Sequence, residues 1–257
     1  MRRVADQART GVRDGALMIR ERCRAWLSIL LAGGALLVLS TGLAAAAPDT
    51  AGVPVEPRTK PPYPESMGRL MGSLRLQDPG AILMGDSLIA AWPKDLSRTL
   101  FDAEAVNFGA GGDTTANLLW RVRTAFGPGM GLTSALLLVG TNDLPKRSPK
   151  DIAASIVQIV SEVQASAPKA CITVITLLPR RDNGAPFSGK IQEVNERLRG
   201  IASPGVRVVD AHTPLLQRCP ATGSCDLYKD TVHLTRAGYE FLTSVVRKAQ
   251  NEAPCSR

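Results

Sequence analysis

Residues 81–88 read AILMGDSL, an apolar run that ends in Gly-Asp-Ser. A short apolar run of this kind is typical of a strand that is buried on both faces, as in a parallel sheet. Ser87 then lies where the strand passes into a helix, a position that exposes its hydroxyl group. This stretch therefore predicts a strand whose carboxyl end carries a reactive side chain.

Four further apolar runs follow this one and alternate with stretches of helical spacing. Strands that alternate with helices along a whole domain indicate an α/β three-layer sandwich with right-handed crossovers, here around a five-stranded, mainly parallel sheet. In such folds ligand sites form at the carboxyl ends of the strands. The predicted strands are residues 81–86, 105–109, 135–141, 171–178 and 206–210, and the predicted helices are residues 115–126, 149–165, 190–201 and 235–250.

Polar motifs follow three of these strands and precede the last helix. After the Gly-Asp-Ser motif, residues 109–115 read GAGGDTT, residues 140–143 read GTND and residues 230–233 read DTVH. Because the carboxyl ends of parallel strands meet at one edge of a sheet, we expect these motifs to converge there. A serine, a histidine and a carboxylate are the groups that nucleophilic acyl transfer requires.

In this order the motifs resemble the four blocks of the GDSL, or SGNH, hydrolases, which are named after a serine, a glycine, an asparagine and a histidine. The matching residues are Ser87, Gly112, Asn142 and His233. The resemblance covers nearly the whole predicted domain and implies the flavodoxin-like SGNH-hydrolase fold and a serine esterase or lipase without cofactor or metal. The second block, NFGAGGDTTANLLWR, is similar to the platelet-activating-factor acetylhydrolase branch, which implies short acyl groups, acetyl first.

Each of these residues has an expected role in acyl transfer. Ser87 is the expected nucleophile, His233 accepts its proton, and Asp230 fixes the imidazole tautomer. The backbone amides of Ser87 and Gly112 and the side-chain amide of Asn142 are expected to form the oxyanion hole. The G-x-S-x-G elbow of the α/β-hydrolases is missing, since its second glycine is absent. The chemistry is therefore shared with that fold, whereas the scaffold is not.

Other residues near these motifs are open to two interpretations. Ser87 taken alone is typical of a helix N-cap, and His212, which follows the fifth strand, is the rival base. Trp92 is either a substrate contact or a core anchor, and residues 180–188 either border the acyl pocket or form a solvated loop. We interpret three further carboxylates as braces for loops rather than as catalysts or Mg²⁺ ligands: Asp86, Asp113 and Asp143.

The first 46 residues have the layout of a secretory signal peptide. Residues 25–48 carry no charge, follow a basic stretch and contain a run of alanines that predicts cleavage after Ala46. An uncleaved membrane anchor is the alternative, because the run is long enough to span a bilayer. The stretch before the apolar run is long, which suggests that translation starts at Met18. We therefore expect an exported protein, periplasmic or secreted, with membrane contact only through an uncleaved leader.

The remainder of the chain divides at a proline-rich segment. Six prolines lie within residues 47–65, which predicts a linker or an extended arm, and the SGNH hydrolase domain is predicted over residues 66–257. The net charge is +8, half of which comes from the leader. Because no basic stripe with interleaved aromatic residues is present, we expect no nucleic-acid partner.

Four cysteines remain after removal of the leader. Export permits disulfides, and Cys219 and Cys225, which bracket the turn-rich loop CPATGSC, are the expected pair. Such a loop before the last block is similar to that of secreted family members. Cys171 opens an apolar strand and is open to interpretation as a buried thiol, and the pairing of both Cys171 and Cys255 stays open. No cysteine or histidine spacing suggests a zinc site.

Together these features predict an exported, metal-independent serine esterase that forms an acyl-enzyme on Ser87. The expected substrates are small-molecule, glycan or lipid esters, such as O-acetylated sugars or lysophospholipids. One alternative is an O-acyltransferase with the same triad, which the sequence does not distinguish from a hydrolase. The other is a non-catalytic envelope-binding module on the SGNH fold, which the presence of all four block residues argues against.

Overall fold

The computed structural model describes residues 52–58, 63–77, 79–101, 104–220, 224–253 and 255. The predicted leader lies outside these residues, so the signal peptide and the start at Met18 stay predictions. No described helix is both long enough and apolar enough to cross a membrane.

Five parallel strands form a single sheet in the order β2-β1-β3-β4-β5, which confirms the predicted fold class. This order reverses direction between β1 and β3, so that the crevice at the carboxyl ends of these strands is the place where such folds bind ligands. The strands are β1 (Ala81–Gly85), β2 (Ala105–Gly109), β3 (Ser134–Leu138), β4 (Cys171–Ile175) and β5 (Val206–Val209).

Helices cover both faces of the sheet. The first begins at Tyr63, inside the segment predicted as a linker or arm, because Pro64 falls in the first turn, where a missing N–H is tolerated. A 3₁₀ turn, Arg98–Leu100, leads toward β2. The helices are α1 (Tyr63–Gln77), α2 (Ser87–Ala90), α3 (Lys94–Ser97), α4 (Thr115–Ala125), α5 (Pro149–Ser166), α6 (Ser188–Arg199), α7 (His212–Arg218) and α8 (Arg236–Glu252).

Two apolar clusters separate the three layers. Side chains alternate along β1, so Ile82 and Met84 join the cluster beneath α4, α5 and α6, whereas Leu83 joins the cluster beneath α2, α7 and α8. All residues of β1 are buried. The sheet is therefore covered on both faces, which explains why its strands are continuous apolar runs.

Two strands end three residues earlier than the sequence predicts. The run that begins near Ser134 leaves the sheet after Leu138, and Gly140 then adopts a φ of +124°. The run from Cys171 leaves the sheet after Ile175, and the Leu177 N–H bonds the side chain of Asn195 on α6 instead of a neighbouring strand. The apolar character continues because these residues pack beneath helices.

Two disulfides join the described cysteines. Cys219 is bonded to Cys225, the expected pair. Cys171 is bonded to Cys255, so the interpretation of Cys171 as a buried thiol is wrong. The physical reason is that α8 returns the chain to the amino end of β4, where the Cα atoms of Cys171 and Cys255 lie 5.9 Å apart, within bonding range.

Candidate active site

Ser87 is the first residue of the short helix α2, directly after the carboxyl end of β1. The N-cap of this helix is Asp86, whose Oδ1 accepts the Leu88 N–H at 2.9 Å. The capping role that Ser87 could have had is therefore taken by its neighbour. A Cβ at Gly85 would overlap the Leu138 carbonyl oxygen, so only glycine lets β1 and β3 approach closely before the serine.

The hydroxyl of Ser87 meets the imidazole of His233, and the imidazole meets the carboxylate of Asp230. The Ser87 Oγ lies 2.9 Å from His233 Nε2, and His233 Nδ1 lies 2.8 Å from Asp230 Oδ2. The imidazole is partly accessible, with a third of its side-chain surface exposed. The two ring nitrogens therefore have different partners, as transfer of a proton from the serine requires.

A tight loop holds Asp230 and His233 together. Asp230 Oδ1 accepts the backbone N–H groups of Val232 and His233 at 2.8 and 2.7 Å, and the Lys229 N–H bonds the His233 carbonyl at 2.9 Å. Burial raises the pKa of the Asp230 carboxyl, but these two N–H groups and the imidazole outweigh it and lower the pKa to about 2. Asp230 is therefore ionised at every pH near neutrality.

Gly112 lies in the turn between β2 and α4, with a φ of +75° that L side chains rarely adopt. The next residue, Asp113, returns its N–H to the Ala110 carbonyl at 3.2 Å. Asn142 reaches the same turn from the loop after β3, where its Nδ2 donates to the Asp113 carbonyl at 2.9 Å. This bond uses one of the two amide hydrogens of Asn142. The two predicted oxyanion donors are therefore held in one framework.

A buried arginine that sequence reasoning missed anchors this turn. Arg121 of α4 is fully buried and pairs with the equally buried Asp113, with 2.8 Å between Nε and Oδ2. It also donates to the carbonyls of Phe108 at 2.6 Å and Gly85 at 2.9 Å. One guanidinium thus ties the ends of β1 and β2 to the glycine turn. An arginine on the apolar stripe of α4 was the available signal.

Asp143 braces the neighbouring loop, as predicted for the three carboxylates. Its Oδ2 accepts the Thr115 N–H at 2.9 Å, its Oδ1 accepts the Thr115 hydroxyl at 2.8 Å, and Arg147 forms an ion pair with it at 3.0 Å. These contacts join the loop after β3 to the first turn of α4. The Asp143 carboxylate therefore fixes the position from which Asn142 extends.

Asp86 differs from the other two carboxylates because it is fully buried and faces no cation at ion-pair distance among the described residues. Its pKa is raised to about 7, chiefly by burial and also by the nearby charges of Asp113 and Asp143, while the Leu88 N–H and Arg121 oppose the rise. Near neutral pH the Asp86 carboxyl, which is adjacent to Ser87, is therefore protonated in a fraction of the molecules.

Arg58 is a second residue near the site that sequence reasoning missed. It lies in the proline-rich segment, and its Nη1 donates to the carbonyl of Gly111. The same nitrogen lies 3.8 Å from Asp113 Oδ1. Nothing in the local sequence signals this contact, because it joins residues 53 positions apart.

The structure decides between the interpretations of two other candidate residues. His212 begins α7 after β5, three strands from β1, which corresponds to about 14 Å at the usual strand spacing. Trp92 is only 3% exposed and packs on Tyr239 with 5.6 Å between ring centroids, so the structure supports the core anchor over the substrate contact. His233, and not His212, is the histidine in contact with Ser87.

The loop of residues 180–188 lies beside the Asn142 loop. Arg180 pairs with Asp182 at 2.6 Å and donates to the Thr141 carbonyl at 3.4 Å. Arg181 donates to the Pro220 carbonyl at 2.6 Å and lies over the Tyr228 ring. Both arginines are thus engaged by the protein, and the Arg181 N–H bonds the Thr231 carbonyl at 2.8 Å, so the loop borders the segment that carries Asp230 and His233.

One group of three potential metal ligands lies among the described residues: Cys219, Cys225 and Asp226. The two cysteines are bonded to each other, so neither offers the thiolate that a metal binds. This cluster therefore does not fit a metal site while the disulfide is intact.

The arrangement as a whole suits acyl transfer. It offers a hydroxyl group, an imidazole that can take its proton, and a carboxylate that orients the imidazole. The backbone N–H groups of Ser87 and Gly112 and the side-chain amide of Asn142 are the candidate donors to an oxyanion. Ser87, Gly112 and Asn142 follow the carboxyl ends of the adjacent strands β1, β2 and β3, whereas Asp230 and His233 come from the loop before α8.

Comparison with known proteins gives a consistent result. Residues 76–241 match the sequence profile of the GDSL-like lipase/acylhydrolase family. The chain is 30% identical over 175 residues to platelet-activating factor acetylhydrolase IB subunit alpha1 of Rattus norvegicus, covering 66% of this chain and 75% of that protein. It is also 30% identical over 168 residues to subunit alpha2 of Homo sapiens, covering 63% and 72%.

Solved structures share the fold at lower sequence identity. A GDSL-like lipase from Bacteroides thetaiotaomicron aligns with a TM-score of 0.61 and 18% identity, covering 72% of this chain and 97% of that one. A lipolytic protein of the G-D-S-L family from Veillonella parvula aligns with a TM-score of 0.54 and 17% identity, covering 68% and 97%. At these identities the likeness concerns the fold.

Proposed function

Because the chain belongs to the GDSL-like lipase/acylhydrolase family and is an ester-hydrolysing enzyme, we propose that it is an exported serine esterase acting through Ser87. The observation that carries the proposal is the continuous hydrogen-bonded path from Ser87 through His233 to Asp230. Each member of this path has the chemistry that its place requires. A module that only binds would have no need of it.

In the proposed reaction the Ser87 Oγ attacks the carbonyl carbon of an ester while His233 Nε2 takes the hydroxyl proton. The carbonyl oxygen becomes an oxyanion, held by the Ser87 and Gly112 amides and the Asn142 side chain. The bond to the leaving alcohol then breaks, and the alcohol takes the proton from His233. Water attacks the resulting acyl-Ser87 ester by the same steps, releasing the acid and restoring the serine.

Asp230 supports both half-reactions without changing its own charge. Its pKa of about 2 keeps it ionised, so it stabilises the imidazolium that forms in each step. Its bond to Nδ1 leaves Nε2 facing the serine. The proton therefore moves only between Ser87, His233 and the reacting oxygens.

The proposed substrates are esters of short acyl groups, with acetyl esters first. This proposal is supported by the relatives, which are named as acetylhydrolases. The partly exposed imidazole also supports it, because the reacting atoms lie near the surface. Small-molecule, glycan and lipid esters with such a group are the proposed substrate class.

Export is proposed from two separate features. The leader has the charge and hydropathy layout of a signal peptide. All four cysteines after it are disulfide-bonded, which suits an oxidising compartment such as the periplasm or the medium. Membrane contact is proposed only for a leader that is not cleaved.

The test is hydrolysis of p-nitrophenyl esters of increasing acyl length by the mature enzyme and by Ser87→Ala and His212→Ala. We expect the highest kcat/KM with acetate, a loss of at least about 10³-fold in Ser87→Ala, and little loss in His212→Ala. Retention of activity within tenfold in Ser87→Ala would overturn the proposal. Formation of a new ester when an acceptor sugar is added, at the expense of free acid, would indicate an acyltransferase instead.

A further inference from the structure

The segment of residues 52–58 lies against the start of α4. The Glu56 N–H bonds the Ala116 carbonyl at 3.2 Å, and the Glu56 carbonyl accepts Nδ2 of Asn117 at 2.9 Å. Val53 and Val55 pack against the larger apolar cluster. These contacts hold the end of the segment, including Arg58, over the glycine turn between β2 and α4.

The guanidinium of Arg58 lies on the peptide that joins Gly111 to Gly112. Its Nη1 donates to the Gly111 carbonyl, and a Cβ placed on Gly112 would meet the same nitrogen at 2.8 Å. The nitrogen is also 3.8 Å from the carboxylate of Asp113. Asp113 is itself fixed by Arg121, so the carboxylate offers the Arg58 side chain a stationary counter-charge.

The Gly111 carbonyl and the Gly112 N–H belong to one planar unit. In a trans peptide these two groups point in opposite directions, so the orientation of one sets the orientation of the other. Both flanking residues are glycines, which lack a Cβ and permit rotation of the peptide between them. A hydrogen bond that holds the carbonyl therefore also holds the N–H in place.

We propose that Arg58 is a positioning residue for ester hydrolysis, which holds the Gly111–Gly112 peptide so that the Gly112 N–H faces the oxyanion. This inference rests on the proposed function. The bond is charge-assisted, so it also polarises the peptide and makes the Gly112 N–H a better donor. The proline-rich segment thus completes the oxyanion hole from outside the four sequence blocks.

The proposal predicts a loss in the chemical step rather than in substrate binding. Removal of one oxyanion donor costs about 10²-fold to 10³-fold in kcat, so loss of its anchor should cost about tenfold or more. In Arg58→Ala we expect this loss in kcat, a KM for p-nitrophenyl acetate within about twofold, and an unchanged melting temperature. Arg58→Lys should keep part of the rate, because an ammonium group can reach the carbonyl with a single donor.

Chemical rescue separates positioning from general stability. Added guanidinium at millimolar concentration should restore kcat in Arg58→Ala at least about threefold, and should not raise kcat in the wild type. Arg197→Ala, which removes an arginine of similar exposure from the surface of α6, is the matched control and should change neither kcat nor rescue. Inactivation by a fluorophosphonate, which also places an oxygen in the oxyanion hole, should slow in parallel with kcat.

Two outcomes would overturn the proposal. One is a kcat of Arg58→Ala within twofold of the wild type. The other is a lost kcat that guanidinium does not restore and that is accompanied by a lower melting temperature. Both differ from failure of the proposed function, which would appear as esterase activity that survives in Ser87→Ala.

Discussion

The hydroxyl of Tyr239 donates a 2.7 Å hydrogen bond to the backbone carbonyl of Leu88. Tyr239 belongs to α8, which begins three residues after His233, and Leu88 follows Ser87 in α2. The bond therefore connects the helix that follows the imidazole to the helix that begins with the nucleophile. Both side chains are buried, so water does not replace the bond if it is lost.

Tyr239→Phe tests this connection. We expect the free energy of unfolding to fall by about 1–2 kcal/mol, because the Leu88 carbonyl loses its partner while the packing of the ring on Trp92 is kept. We also expect a several-fold fall in kcat, since α2 is a single turn held mainly by its neighbours. Urea denaturation and steady-state kinetics measure the two effects. If both the free energy of unfolding and kcat are unchanged, the hydrogen bond contributes neither to stability nor to the position of α2.

Asp230→Asn should lower kcat/KM by about 10³-fold or more, because an amide cannot stabilise an imidazolium and favours the wrong tautomer. The matched control is Asp226→Asn, which changes a neighbouring exposed carboxylate that pairs with the surface arginine Arg218. It should retain nearly full activity. Equal activity of the two variants would exclude Asp230 as the orienting carboxylate.

The pKa of Asp230 also sets the pH range in which this carboxylate contributes to stability. Its folded pKa of about 2 lies below the ordinary 3.8, so the stabilising contribution of the carboxylate is complete above pH 4 and is lost only as pH falls toward 2. Asp230 therefore cannot account for a change of kcat/KM between pH 7 and pH 5, and a profile of kcat/KM against pH that falls only below pH 4 in step with loss of stability would identify its contribution. In the proposed reaction His233 must be neutral, because it accepts the Ser87 proton.

Asp86 predicts a second, opposite dependence on pH. Its pKa rises from the ordinary 3.8 to about 7 on folding, so the folded protein binds this proton more tightly than the unfolded chain. The sign of the linkage means that the contribution of Asp86 to stability is greatest below pH 4 and is lost as pH rises toward 7. Asp86→Asn keeps an oxygen for the Leu88 N–H and removes the titration.

The measurement is the free energy of unfolding of wild type and Asp86→Asn at several pH values from 4 to 8. We expect the free energy of unfolding of the variant to rise relative to that of the wild type by a few kcal/mol as pH increases over this range, since each unit of pKa difference is worth about 1.4 kcal/mol. Titrations common to both proteins cancel in the difference. Parallel curves would mean that Asp86 carries its charge in the folded protein.

The two disulfides should contribute unequally to stability. The Cys171–Cys255 bond closes 84 residues and the Cys219–Cys225 bond closes 6, and the entropy that a cross-link removes from the unfolded chain grows with loop length. The double substitution Cys171→Ser and Cys255→Ser should lower the free energy of unfolding by about 4 kcal/mol. The double substitution Cys219→Ser and Cys225→Ser should lower it by about 2 kcal/mol. Denaturation midpoints measure both, and the reverse order would contradict the loop-closure explanation.

The sequence was sufficient for the sheet and for the residues that follow its strands. Buried parallel strands are continuous apolar runs. Since the strands are parallel, the residues that follow them, among them Ser87, Gly112 and Asn142, lie at the same edge of the sheet whatever the conformation of the loops. Helix ends were less well predicted. The predicted helix over residues 190–201 spans Ser188–Arg199, and its N-cap residue, Phe187, makes no side-chain capping bond that the sequence could have signalled.

Contacts between distant residues could not be predicted. Arg58 meets Gly111 across 53 positions, and Cys171 meets Cys255 across 84, and neither pair leaves a periodic pattern in the chain. Arg121 differs, because its place on an apolar helix face already indicates a buried partner. What the sequence lacked was the identity of that partner, which only the fold supplies.

The position of Cys255 imposes an order on how the molecule matures. A chain that emerges amino end first presents every described strand and helix before Cys255, so the cross-link to Cys171 closes only when α8 has returned to the amino end of β4. The Cys219–Cys225 link needs only seven consecutive residues and can close before the rest of the domain is complete. Formation of the Cys219–Cys225 disulfide is therefore a local event, whereas formation of the Cys171–Cys255 disulfide requires that the domain is complete.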